Sequence, residues 1–171
     1  GLNSIIMLLL GAALILHSSP ASIMKAASTA AGGCAGIILQ FPLYAGIMGL
    51  MVASGLAQRM TEAMIDLSTP ATLEFWTMLS AGIVNLMVPS GGGQWAVQGP
   101  IALQAGADAG LTSGSIIMAV AYGDELTNML QPFWALPLLA ITGVRARDIV
   151  GYTSIIMLVA AAWISFWLLM T

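Results

Sequence analysis

The sequence predicts an all-α membrane protein with about four transmembrane helices, one re-entrant helical hairpin and one broken helix. Three observations predict it. Of 171 residues, 59% are hydrophobic and 6% are charged, with a mean hydropathy of +0.97. Soluble domains carry roughly 25% charged residues, so this chain cannot dress its own surface for water, and a lipid-facing surface removes the need. Several apolar runs approach the roughly 20 residues that cross a hydrocarbon core. Two further runs are interrupted at their middles by residues that no simple span tolerates.

Composition also excludes functions. The net charge is −3 and no basic run exists, so nucleic-acid binding has no footing. A single cysteine, Cys34, forbids an internal disulfide and reads as a small residue in a packed helix. The one histidine, His17, has no second ligand nearby in sequence, so no metal site is expected there.

In chain order, Leu2–Leu16 reads as a span, because no basic region precedes it as a signal peptide would require. The stretch His17-Ser-Ser-Pro20 ends it. Residues 21–31, with Lys25, suit a short interfacial helix. Residues 33–57 are long enough to span despite Pro42. Arg59, Glu62, Asp66 and Pro70 mark a polar loop, and residues 143–148, with Arg145 and Arg147, mark another. Residues 150–170 form a final span, with Tyr152 near one end and Trp163 and Trp167 towards the other, as aromatic belts prefer.

Residues 72–105 read as an apolar arm, the break Val88-Pro-Ser-Gly-Gly-Gly-Gln94, and a second arm over 95–105. That second arm would rise roughly 16 Å, half a bilayer. Pro89 and three glycines are expected to stop a helix. The break is either an aqueous loop between two spans or the tip of a re-entrant hairpin, and the short second arm favours the hairpin. Residues 114–142 form the second interrupted run. Gly123 and Pro132 bracket a polar stretch with Asp124 and Glu125 near the bilayer centre, where each carboxylate costs about 2.5–3.5 kcal/mol. An unwound helix lining a cavity is the expected outcome.

Charge sets the expected orientation. A re-entrant hairpin leaves Arg59, Glu62, Asp66, Glu74 and Asp108 on one side, and His17, Lys25, Arg145, Arg147 and Asp148 on the other. Three of the four basic residues then share one side, which the positive-inside rule assigns to the cytoplasm. The hairpin would enter from outside.

The two breaks carry complementary chemistry. Gly91, Gly92 and Gly93 let backbone N–H groups approach a ligand, and a helix opening at Trp95 would turn its positive end on a carboxylate. Asn85, Ser90, Gln94 and Gln98 add neutral polar groups. The rival reading is a flexible loop of ordinary turn residues. A phosphate loop is excluded because the Gly-Lys-Ser/Thr ending is missing, and Ser90 lacks a nucleophile elbow. Asp124 and Glu125 could bind Na⁺, exchange protons, or cap freed backbone N–H groups. Thr127, Asn128 and Gln131 supply neutral oxygens beside them, so any sodium ion would sit near Asn85, Asp124 and Asn128.

Three stretches carry a family resemblance: residues 85–100 around Pro89-Ser-Gly-Gly-Gly-Gln-Trp95, residues 38–49, and residues 122–134. They resemble the bacterial short-chain fatty acid transporters over essentially the whole chain. The resemblance implies ion-coupled uptake of acids such as butyrate or acetoacetate across the bacterial inner membrane by a multi-pass, non-enzymatic protein. It also implies a plan similar to the dicarboxylate–sodium symporters, with inverted repeats that each hold a hairpin and a broken helix. On that plan the 171 residues match the C-terminal half, and the expected partners are a short-chain carboxylate, the bilayer, an N-terminal half and other copies of the chain. Two other functions remain as alternatives: a channel or assembly subunit, and an intramembrane enzyme using Asp124 and Glu125. Adjacent residues on a helix point in different directions, which counts against the enzyme.

Overall fold

The structure, a computed structural model, describes residues 1–170, without the side chains of Ile37, Pro132, Phe133, Leu136, Pro137 and Ala140. Among the described residues all regular structure is helical: α1 (Leu2–Leu16), α2 (Pro20–Ala53), α3 (Leu56–Asp66), α4 (Leu73–Met87), α5 (Gly91–Asp108), α6 (Ser113–Asn128), a 3₁₀ turn (Pro132–Ala135), α7 (Leu136–Thr142) and α8 (Ala146–Met170).

Helix α1 has the predicted bounds. The interfacial helix and the span over 33–57 are instead one helix, α2, capped by the Ser19 side chain and ended by Gly55 at φ 67°. The expected junction, Gly32-Gly33, follows two alanines and holds no proline, so the helix passes through it, and Pro42 is absorbed inside the helix as well. The polar loop is also corrected. Its first part is α3, an amphipathic helix that buries Ala57 and Thr61, and the loop proper covers 67–72. Helix α8 starts four residues earlier than the predicted span, at Ala146.

Helix α4 is the centre of the molecule. It packs most extensively against α6, with α3 and α5 completing its surroundings. Leu73, Ala81, Ala102, Ile116 and Val120 form one apolar cluster, and Met51, Ala57, Val84 and Val88 form another. Two glycines allow the α4–α6 approach. A Cβ at Gly123 would overlap the Met78 carbonyl oxygen and lie 2.7 Å from Ala81 Cβ, and one at Gly82 would lie 3.4 Å from the Gly123 carbonyl. Gly123 is therefore a packing residue within α6, not the start of a break.

The peripheral helices are the reverse. Neither α1 nor α8 buries a residue, although both are apolar around their circumference. A helix apolar on all sides and bare needs lipid or protein against it. By length and composition, α2 and α8 are long and apolar enough to cross a membrane, and Leu2–Leu16 and Leu73–Met87 are shorter apolar helices.

Candidate functional site

Helices α4 and α5 pair as a hairpin whose tip is Val88–Ser90. The glycines were expected in a loop with the second arm opening at Trp95. They instead form the first turn of α5, which is 18 residues long. Ser90 is the N-cap, and its Oγ accepts from Gly93 N–H at 3.3 Å. Glycine keeps its N–H and C=O, so its cost in a helix is backbone entropy, and the Ser90 cap holds this first turn in place. Gly93 also needs its missing side chain, since a Cβ would come 2.8 Å from Met48 Sδ of α2.

The second break is displaced as well. Helix α6 runs through Asp124, Glu125, Thr127 and Asn128, and the chain unwinds only at 129–131. Pro132 opens the following 3₁₀ turn, which fits the bias of the residue before a proline away from helical geometry. Its side chain and that of Phe133 lie outside the described part.

The breaks meet at Asn85, which is fully buried on α4. Its Nδ2 lies 2.9 Å from each of three acceptors: the Asp124 carbonyl, Thr127 Oγ1 and Asn128 Oδ1. An amide nitrogen has two hydrogens, so two of these bonds form at a time. In return, Gln131 Nε2 donates to the Asn85 carbonyl at 3.0 Å. That carbonyl lacks a helical donor because the residue four positions on is Pro89. The proline at one break thus frees the group that anchors the other.

Gln94 and Gln98 face elsewhere. Both are buried in the seam between the hairpin arms. Gln94 Nε2 donates to the Ala81 carbonyl and to Gln98 Oε1, and Gln98 Nε2 donates to Ser80 Oγ, all at 2.9 Å. They hold the arms together and do not reach an open cavity.

An open cavity of about 550 Å³ does join the hairpin tip to the break. Pro89 and Gly91 line it from the tip, and Glu125, Asn128 and Met129 from α6 and its end. Trp134, Thr153 and Ile156 complete the wall. Of the residues expected to bind, Gly91, Glu125 and Asn128 line this cavity. Ser90 and Gly92 are exposed at the tip, Gly93 packs under Met48, and Thr127 and Gln131 belong to the Asn85 seam. Asp124 sits between, with Oδ2 placed 3.4 Å from where a Gly91 Cβ would be. The sequence reading missed Trp134, whose Nε1–H donates to the Asn128 carbonyl at 3.0 Å. It also missed α8; the adjacent hydroxyls of Thr153 and Ser154 within its long apolar run were the available signal.

The wall is chemically divided. Gly91 presents the N-terminus of α5, Asn128 an amide and Glu125 a carboxylate, while Met129, Trp134 and Ile156 are apolar. Buried acceptor oxygens without a hydrogen-bond partner lie at the same junction: Asn85 Oδ1 and Asp124 Oδ1. Among the described residues, no cluster of three His, Cys, Asp or Glu side chains suits a metal.

The chain is similar to a protein of Escherichia coli (strain K12) provisionally named a short-chain fatty acid transporter, with 45% identity over 151 residues, 88% of this chain and 34% of that protein. A protein of the same name from Haemophilus influenzae (strain ATCC 51907 / DSM 11121 / KW20 / Rd) is 41% identical over 151 residues, with the same coverage. The chain thus spans 34% of the length of these curated relatives. No solved structure matches it. The family model described as short chain fatty acid transporter matches residues 1–171, and the chain belongs to that family.

Proposed function

We propose that this chain supplies the binding region of an ion-coupled carrier that takes short-chain carboxylates such as butyrate across the bacterial inner membrane. The observation that carries the reading is the cavity at the hairpin tip. Its positive helix end suits a carboxylate, and its apolar wall of Met129, Trp134 and Ile156 suits a short alkyl chain. Longer relatives imply that the remaining wall comes from the rest of the protein or from further copies.

Re-entry of the hairpin rests on depth. Along α8, Thr153 and Ile156 stand about 9 and 14 Å from Arg147, within a hydrocarbon core about 30 Å thick. Pro89 and Gly91 share a cavity with both residues, which supports a tip inside the core and short of the arginine level. The two charge groupings agree with opposite ends: His17 and Lys25 share a cavity with Ile141, next to the 143–145 loop, while Ile65 and Pro70 share one with Asp108.

Charge supports ion coupling. Glu125 faces the cavity, and a carboxylate substrate a few ångströms away would be repelled by about 3 kcal/mol at an effective dielectric of 20. A proton on Glu125, or a sodium ion at the unpartnered oxygens of Asn85 and Asp124, removes that repulsion. Glu125→Gln is expected to cut gradient-driven accumulation more than tenfold while leaving substrate binding within a fewfold. Unchanged accumulation would remove Glu125 from the ion path.

The carrying test uses the full-length protein with Cys34→Ser and a single cysteine at Gly92, which is exposed with nothing within 4 Å of its Cβ direction. A membrane-impermeant thiol reagent should label it from outside, and butyrate should slow labelling severalfold. Labelling from the cytoplasmic face alone, indifferent to butyrate, would make the tip an ordinary loop and end this reading.

A further inference from the structure

A second cavity, of about 950 Å³, lies away from the hairpin between the α1–α2 corner and α7. Ser22, Lys25 and Thr29, at spacings of three and four, share one face of α2 within it, above a floor of Ala26, Ala30 and Gly33. His17 closes the α1 side, held by Nδ1–H donating to the Ala13 carbonyl at 2.7 Å, and Ile141 closes the α7 side. The proposed transport has no use for this cavity.

Its charge is unbalanced. Among the described residues Lys25 has no ion-pair partner, and no acidic side chain lines the cavity. The acid that follows the nearby 143–145 loop, Asp148, is engaged by Arg145 at 2.8 Å and Arg147 at 3.8 Å. The Thr29 hydroxyl donates to the Lys25 carbonyl, so Ser22 is the remaining hydroxyl donor. Ile141, which lines the cavity, and Ile15, Leu16 and Met24, which flank the lining residues His17 and Lys25 in sequence, are all at least 70% exposed.

We propose that this cavity seats the anionic headgroup of a membrane phospholipid, with the phosphate on Lys25 and Ser22 and the acyl chains along Ile15, Leu16 and Met24. A cation in a cavity with no carboxylate of its own, beside helices whose apolar side chains are bare, is complementary to a molecule that carries an anion and long apolar tails together. Basic pockets between membrane helices bind such headgroups. A packed protein segment would need an acid opposite Lys25 to avoid burying an unpaired charge. The proposal rests on the chain lying in a membrane and is independent of what the carrier moves.

Cys34 lines the same cavity and is exposed, so it is a built-in reporter. The test uses the full-length protein in proteoliposomes, with any other cysteines replaced and a fluorophore on Cys34. Nitroxide-labelled phosphatidylglycerol is expected to quench it at least threefold more than nitroxide-labelled phosphatidylcholine at equal mole fraction. Lys25→Gln should equalise the two lipids, and Lys25→Arg should keep the preference. Equal quenching in the parent protein, or a preference that survives Lys25→Gln, overturns the proposal. Displacement of the lipid by millimolar glycerol phosphate would assign the seat to a soluble anion instead. No quenching by either lipid would mean that protein covers this face, and would equally overturn it.

Discussion

Gly123→Ala is expected to separate α4 from α6, lower the yield of folded protein sharply and abolish the proposed transport by the full-length protein. The added methyl group meets the backbone of α4, the Met78 carbonyl and Gly82 N, as well as Ala81 Cβ. Overpacking a core typically costs about 1–3 kcal/mol when side chains can yield. Backbone atoms inside a helix cannot yield without moving the helix, so the cost falls at or above the top of that range. A total stability of about 5–15 kcal/mol leaves little room for it. Thermal unfolding of purified protein measures the loss. Gly92→Ala is the control for stability, because nothing lies near that Cβ position, and it should change the melting temperature little. Equal melting of the two variants would show that α4 and α6 do not meet as described.

Asn85 gives the second large effect. Asn85→Leu removes the donor that serves Asp124, Thr127 and Asn128. Hydrogen bonds between membrane helices average about 0.6 kcal/mol and reach about 1.7. Losing two at once is expected to destabilise by about 1–3 kcal/mol. Asn85→Asp should be worse than leucine, because it aims a second acceptor at three acceptor oxygens. Both variants should also lose transport, since the bonds fix where Asn128 meets the cavity. Wild-type melting and uptake in Asn85→Asp would refute this account of the junction.

Much of this arrangement was legible in the sequence. The apolar runs gave the peripheral helices, and the two interrupted runs correctly marked the places that meet. What failed was the assignment of glycines. Gly91–Gly93 and Gly123 look like breakers by propensity, yet the first three occupy a helix start capped by Ser90. Gly123 makes room for Met78, Ala81 and Gly82, 41 to 45 residues away in sequence, which no local rule can name. The glutamines were misplaced for a related reason. Gln94, Gln98, Ala102 and Gly106 are buried at a spacing of four, an interior face of α5 that its amide content disguised. The wall supplied by α8 was out of reach because Thr153 has no local partner pattern, only a hydroxyl on an apolar helix.

One feature of the periphery has a mechanical meaning. Helix α8 contributes Thr153 and Ile156 to the cavity while burying none of its own residues, so its position relative to α4–α6 is set largely from outside the fold. A wall held this way shifts when the bilayer thins, thickens or is stretched. If the proposed carrier binds substrate at this cavity, its affinity would then depend on membrane tension and acyl length, and differ from one lipid composition to another.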